Sequence, residues 1–394
     1  MAGTESSSTG RYLVLLEDDA TVVGARELTR LAGIRTVNTA DVVGASAAEL
    51  FGAADGVVLN ELGIALVTAG SDQASALSEA VRSSGPIAAF EAERTVYAID
   101  DAAPAAEAPP APVDGALTWG LQAVGVNGST PTGAGVRVAV LDTGLDLQHP
   151  DFAGRDIVTG SFVPGEDVHD GHGHGTHVIG TACGPRTPAQ GPGYGIASEA
   201  SIYAGKVLAN GGTGSDGGIL SGISWAISNG CSVVSMSLGA ATEPGQPFSQ
   251  AFERVAQRAM ARGTLIIAAA GNESSRGSGT IAPVGHPANC PSIMAVGAVD
   301  ARNAIAEFSC GTVDQIGQVD LVGPGVDVHS SWPGAGSKSL SGTSMATPHV
   351  AGVATLYAQQ HHERAWGLWA RLAQKARRLP LPSTDVGAGL VQVP

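Results

Sequence analysis

Positive charge is the first thing this chain has little of. Its 394 residues carry 21 Lys and Arg against 36 Asp and Glu, a formal net charge of −15. Phosphate neutralisation needs clustered cations, so a general nucleic-acid binder is excluded. An acidic surface of this kind more simply serves solubility. No run approaches 18 apolar residues, which excludes a membrane-spanning helix among its expected elements. The opening MAGTESSSTGRYLVLLEDD has no basic start, and its apolar run covers only Tyr12 to Leu16. It is therefore not read as a secretory signal, which leaves the cytoplasm or export by a route not visible in the chain. Cysteine is also scarce. Cys183, Cys231, Cys290 and Cys310 are too widely spaced for a disulfide framework or a zinc site, and are expected as buried thiols.

Apolar residues make up 43% of the chain, enough for a large core, and the 55 glycines cluster between apolar runs as tight turns do. Residues 98–115, AIDDAAPAAEAPPAPVDG, are rich in Ala and Pro and read as an extended linker. The chain is divided accordingly into a unit over 10–100, a linker over 101–115 and a unit over 116–394. No internal repeat is visible.

In the first unit, strands are expected at 11–16, near 34–43, at 63–69 and at 94–99. Helices are expected at about 20–32 and 72–85, giving a small α+β, ferredoxin-like βαββαβ order. This unit holds no Cys or His. The second unit reads as α/β with a parallel sheet. Its strands are expected at 136–142, 201–208, 231–239, 263–272 and 293–299. Helices are expected at 219–230 and 248–263, where Phe248, Phe252, Val255 and Ala259 recur at helical spacing before a Gly263 cap.

Chemistry in such sheets collects at the carboxyl ends of strands. Asp142 ends VRVAVLD, Asn272 ends LIIAAAGN, and Ser344 lies where a Gly-rich turn enters a long apolar helix. Between them lies HDGHGHGTHVIGT, residues 169–181, with His169, His172, His174 and His177. One reading makes His172, His174 and His177 a zinc site of a metallohydrolase. Against it, no Cys or Glu stands nearby, and Gly171, Gly173 and Gly175 are expected to make the loop flexible. The other reading is nucleophilic catalysis. A serine hydroxyl needs a base, and that base needs a carboxylate to fix its tautomer. His174 and Asp142 supply both, while Asn272 and the Ser344 N–H supply oxyanion donors. Each residue also has a plainer reading alone: turn former, left-handed loop residue, helix start.

The stretches VAVLDTGLDLQHPDF, HGTHVIGT, SMSLG, AAAGNE and GTSMATPHVAG, in that order, resemble those of the subtilases, subtilisin-like serine proteases. The chain order Asp, His, Ser is likewise that of subtilisin. The resemblance implies a subtilisin-like serine endopeptidase with Asp142, His174 and Ser344 as triad and no cofactor needed for catalysis. Ser237, Leu238 and Gly239 would be the edge strand that pairs with a polypeptide substrate. Ala269, Ala270 and Gly271 would wall the pocket for the residue before the cut bond, with Glu273 a candidate bias toward basic groups. Residues 211–216 would form the opposite rim.

A structural calcium is conceivable in the family, and Asp151 matches one ligand position. The stretch CGPRTPAQGPGYGIAS lacks the remaining ligands, however, and the site is not claimed. The first unit resembles a subtilase propeptide, implying a zymogen whose own N-terminal domain assists folding and inhibits, with self-cleavage near residues 100–115. The chain is otherwise expected to be a monomer, with no nucleic-acid or membrane partner. The basic amphipathic segment 364–379 is expected to pack on the core. A catalytically silent subtilase acting as a binding module is the alternative.

Overall fold

The computed structural model describes residues 10–18, 20–41, 54–83, 85–99 and 116–394. The expected linker and processing region over 100–115 lies outside them.

Seven strands form the central sheet: β7 (Arg137–Asp142), β8 (Ile157–Ser161), β9 (Ser201–Lys206), β11 (Val233–Met236), β13 (Leu265–Ala269), β14 (Met294–Val299) and β15 (Leu321–Pro324). Their order is β15-β14-β13-β11-β7-β9-β8, and every neighbouring pair is parallel. A parallel sheet is covered on both faces, so its strands read as unbroken apolar runs. Helices His174–Cys183 and Thr343–His361 bury Val178, Ile179, Val350 and Val353 against one face. Helices Asp216–Ser228 and Gln250–Ala261 bury Ile219, Ile223, Phe252 and Val255 against the other. The Gln250–Ala261 helix has the expected periodicity, started by Ser249, whose hydroxyl accepts the Phe252 N–H at 3.2 Å. The segment expected to pack at the C-terminus forms helix Trp366–Lys375, with Leu368 and Leu372 in the core. Among the described residues no helix is long and apolar enough to cross a membrane.

The N-terminal unit is a five-stranded sheet, order β2-β3-β4-β1-β5, from β1 (Arg11–Leu16), β2 (Thr36–Asn38), β3 (Gly56–Leu59), β4 (Ile64–Thr68) and β5 (Ile87–Ala92). Alternation along each strand sends side chains two ways. Val14, Leu16, Val58, Ala65 and Val67 pack with Leu28 and Leu77 of the unit's own helices, Thr21–Ala32 and Ser71–Ala80. Leu13, Leu15, Val57, Leu59, Ile64 and Leu66 join the core around helices Asp216–Ser228 and Gln250–Ala261. The sheet is thus buried on both faces, one of them supplied by the second unit.

Two expectations fail here. The last strand of this sheet is β5, over 87–92, which was not foreseen. The foreseen strand at 94–99 leaves the sheet: β6 (Thr95–Ala98) lies between β10 (Thr213–Ser215) and β12 (Leu238–Gly239), antiparallel to both. An alternating apolar stretch such as RTVYAI reads the same whichever sheet it joins, because only the pairing partner differs.

Candidate active site

Asp142 ends β7 at the carboxyl edge of the sheet and is fully buried. Its Oδ1 accepts the Thr143 N–H at 2.7 Å and His174 Nδ1–H at 2.7 Å. A carboxylate only accepts, so the proton of neutral His174 is held on Nδ1 and Nε2 becomes the basic nitrogen. His174 opens helix His174–Cys183 and is 2% exposed.

The glycines around His174 do not provide the looseness expected of them. Gly173 has φ +105°, and a Cβ there would stand 2.4 Å from the Trp332 ring. A Cβ on Gly175 would stand 2.2 Å from the Gly144 carbonyl oxygen. Gly175 is needed because the backbone packs closely against the turn after Asp142, and Gly173 because of its left-handed φ and the Trp332 ring against it.

A residue not singled out in the sequence organises this corner. Asp170 accepts from Gly173 N–H (2.7 Å), from Thr176 N–H and hydroxyl (both 2.7 Å), and from the Thr143 hydroxyl (2.8 Å). Thr143 Oγ1 in turn accepts the Gly175 N–H at 2.8 Å. Burial works to raise the Asp170 pKa, but these hydrogen bonds outweigh it and hold the carboxyl below the usual range. Asp170 therefore ties the turn after Asp142 to the helix that starts with His174. On the other side of that turn, fully buried Lys206 donates to the Thr143 carbonyl (2.5 Å) and to Asn210 Oδ1 (2.8 Å). The sequence signal for Asp170 was its place four residues before His174, inside a stretch where the histidines drew attention.

The four histidines separate cleanly. His177 is buried, and its Nε2 faces the carbonyls of Val328 (3.0 Å) and Lys338 (3.1 Å). Burial, helped by nearby His174, pushes its pKa down to about 3. It is a structural donor. His172 sets its ring edge-on to His174, centroids 6.3 Å apart, and His169 is exposed. With His177 committed to two carbonyls, the three rings of the zinc reading do not converge. Among the described residues no group of three or more His, Cys, Asp or Glu is placed to hold a metal ion.

Ser344 is the second residue of helix Thr343–His361, where backbone N–H groups lack helical partners and favour negative charge. Its hydroxyl donates to the Ile99 carbonyl at 3.0 Å or the Ser237 carbonyl at 3.1 Å. Ser344 is fully buried, because residues 95–99 cover it. Asn272 is oriented by Thr343, whose N–H and hydroxyl both donate to Asn272 Oδ1 at 2.9 Å. That fixes the amide the other way round, with Nδ2 toward the cleft: a Cβ on Gly342 would stand 3.0 Å from Nδ2 and 3.6 Å from the Ile99 oxygen. Any side chain at 342 would crowd both the Asn272 amide and the Ile99 carbonyl oxygen. The helix carrying Ser344 packs against the helix carrying His174.

Of the other expected positions, Leu238, Gly239 and residues 213–215 lie against residues 95–98. Leu238 and Gly239 pair with Ala98 and Tyr97, while Thr213, Gly214 and Ser215 pair with Tyr97, Val96 and Thr95. Ser237 is different. Its hydroxyl donates to the Ser344 carbonyl at 2.8 Å, so its side chain braces the serine turn. The Ile99 side chain lies by Gly239, its Cδ1 3.5 Å from where a Cβ would be. Ala269 ends β13, the Ala270 N–H bonds the Val296 carbonyl, and Gly271 has φ +114°. A Cβ on Gly271 would stand 2.4 Å from Glu273 Oε2 and 2.9 Å from Cys310 Sγ. Cys310 donates to that carboxylate at 3.0 Å, and burial followed by the charge of Glu273 pushes the thiol pKa up. All four cysteines are buried and free.

The calcium position does not fit a calcium ion. Asp151 Oδ2 accepts the Tyr194 hydroxyl at 2.5 Å. In the adjoining loop the Arg186 guanidinium reaches the carbonyls of Pro131 (2.7 Å) and Ile196 (2.9 Å). A fixed organic cation already satisfies these oxygens.

With this geometry in place, likeness to known proteins can be judged. Residues 133–377 match the Subtilase family. Subtilisin E of Bacillus subtilis (strain 168) is 44% identical over 232 residues, 58% of this chain and 57% of that protein. Subtilisin Savinase of Lederbergia lenta is 42% identical over 282 residues, 70% of this chain and 96% of that one. A subtilisin of Bacillus pumilus is 42% identical over 259 residues, 86% of its length. Subtilisin E is thus matched over less than two thirds of its own length, and the other two over most of theirs. The matched region spans more than half of the chain and contains Asp142, His174, Asn272 and Ser344: the chain belongs to the subtilase family.

Proposed function

We propose that this chain is a serine endopeptidase made as a self-processing precursor, with residues 10–99 as its propeptide domain. The observation that carries this reading is the Ile99 carbonyl oxygen 3.0 Å from the Ser344 hydroxyl, at the end of a strand laid antiparallel between β10 and β12. Polypeptide binding by strand addition supplies affinity through main-chain bonds and exposes a defined carbonyl to the nucleophile.

In the proposed reaction the Ser344 hydroxyl turns from the two carbonyls it contacts and passes its proton to His174 Nε2. Asp142 stabilises the imidazolium through Nδ1–H. Oγ adds to the Ile99 carbonyl carbon, and the oxygen takes up negative charge facing Asn272 Nδ2 and the Ser344 N–H. His174 then returns the proton to the departing amine of residue 100. The acyl-enzyme so formed on Ser344 is hydrolysed by water, with His174 again as base. No step calls on a cofactor or metal. Self-cleavage is placed after Ile99, at the near edge of the region expected from the sequence.

Before and after cleavage the propeptide domain would block the groove. Glu91 accepts from the Ser249 hydroxyl (2.6 Å) and Gln250 N–H (2.7 Å), and Glu93 from Gly217 N–H (2.9 Å). Each thus caps one of the two helices beneath it. A fluorophosphonate probe applied to processed protein separated from residues 10–99 tests the reading. Labelling at Ser344 together with peptide hydrolysis is expected. An unlabelled Ser344 in folded protein would favour a silent binding module instead.

A further inference from the structure

Asp216 is a buried carboxylate that the triad chemistry does not use. It opens helix Asp216–Ser228 beside the groove and is 0% exposed. One oxygen, Oδ1, accepts His286 Nε2–H at 2.8 Å. His286 is itself buried, edge-on to Phe252 with ring centroids 4.7 Å apart, and so holds the carboxylate in one orientation. The second oxygen, Oδ2, accepts the backbone N–H of Arg94 at 3.0 Å. The Asp216 N–H returns a bond to the Arg94 carbonyl at 3.2 Å. The Arg94 guanidinium stands 3.8 Å from Oδ2 and 3.9 Å from Glu91 of β5.

Arg94 is the sixth residue back from the Ile99 carbonyl. It lies just before the first residue of β6, so the β10–β12 pairing does not reach it. A carboxylate buried under a bound chain is costly unless that chain supplies a hydrogen bond. We propose that Asp216, positioned by His286, is a specificity-determining residue. It takes the main-chain N–H of a polypeptide substrate at the sixth residue before the cut bond and prefers a basic side chain there. The inference rests on the protease reading. It predicts three levels of recognition: a basic residue best, an acidic one disfavoured by the facing carboxylate, and a residue without an N–H excluded from the bond.

The test uses full-length protein allowed to process itself and then separated from residues 10–99, with acetylated, internally quenched peptides reproducing residues 94–100. One peptide has Arg at the first position, one Glu, one N-methyl-Arg, and a shorter one begins at residue 95. Wild-type kcat/KM should fall about tenfold from Arg to Glu and about tenfold from Arg to N-methyl-Arg, the size expected for one charge-assisted bond. Asp216→Asn should abolish the Arg-over-Glu preference while keeping the N-methyl penalty, because an amide oxygen still accepts. Asp216→Ala should abolish both, and the short peptide should be cut equally by all three proteins. Equal wild-type rates on Arg, Glu and N-methyl-Arg would overturn the proposal without any variant. So would a uniform loss on every peptide in Asp216→Ala, the mark of a purely structural role. Fluorophosphonate labelling is read in parallel: labelled Ser344 with no discrimination removes this proposal alone, and unlabelled Ser344 removes it together with the protease reading.

Discussion

Asn272 and His177 show how unlike roles are set by hydrogen bonding alone. Asn272 has Oδ1 accepting both the Thr343 N–H and hydroxyl, which fixes the orientation of its amide; in the proposed reaction that amide serves a charge that exists only in the transition state. Asn272→Ala should lower kcat by about 10²–10³ with KM little changed, a magnitude carried over from subtilisin itself. Steady-state kinetics on a peptide substrate checks it; a change confined to KM would contradict the role. His177 is buried neutral, its pKa down to about 3 against about 6.5 in an unfolded chain. A depressed folded value contributes stability above pH 6.5 that is lost as pH falls toward 3, because the unfolded chain binds the proton first. Urea unfolding should therefore show wild type losing its advantage over His177→Gln, by roughly 2–4 kcal/mol between pH 7 and pH 4. A gap constant over that range would contradict the burial argument. Both residues sit in motifs that the sequence displayed; it singled out His174 as the base but left the other three histidines unassigned. That distinction comes from the carbonyls of Val328 and Lys338, some 150 residues away in the chain, and from Asp142.

At the scale of elements, the helix starts and the loop after the His174–Cys183 helix carry the testable content. Glu91 and Glu93 cap two helices of the other unit, and such caps contribute about 0.5–2 kcal/mol each. In the Ser344→Ala chain, Glu91→Gln with Glu93→Gln should speed amide hydrogen exchange across residues 10–99 relative to the parent. Unchanged exchange would place the docking energy elsewhere, in the apolar face of the sheet. In the loop, Arg186 spans carbonyls where the family resemblance raised a calcium ion. Chelator should leave the melting temperature within about 1 °C, whereas Arg186→Ala should lower it by several degrees, in line with lost charge-assisted bonds. A large chelator effect would contradict this. The element boundaries that could be read from sequence were those with periodicity of their own, such as Phe252, Val255 and Ala259. Strand β5 was missed because IAAFEA sits among small and acidic residues that act at its edges. The strand at 95–98 was assigned to the wrong sheet because its partners belong to the other unit.

For the whole molecule, the two-faced burial of the N-terminal sheet is the central fact. Leu13, Leu15 and Leu66 complete the core over helices Asp216–Ser228 and Gln250–Ala261. A parallel sheet closes through contacts distant in sequence and forms slowly, and the N-terminal sheet packs on two of the helices that cover it. The same docking carries residues 95–99 into the groove and sets the Ile99 carbonyl on Ser344. The unbroken apolar run RYLVLL was the trace of this in the sequence, since a strand with one wet face would alternate. The account therefore stands or falls on a cut made by the chain in itself. Intact-mass spectrometry of purified wild type and Ser344→Ala tests it most directly. Wild type should yield an N-terminal fragment ending at Ile99 and a partner beginning at residue 100, while Ser344→Ala stays whole. Cleavage of Ser344→Ala at the same bond, or wild type that folds and remains uncut, would contradict it.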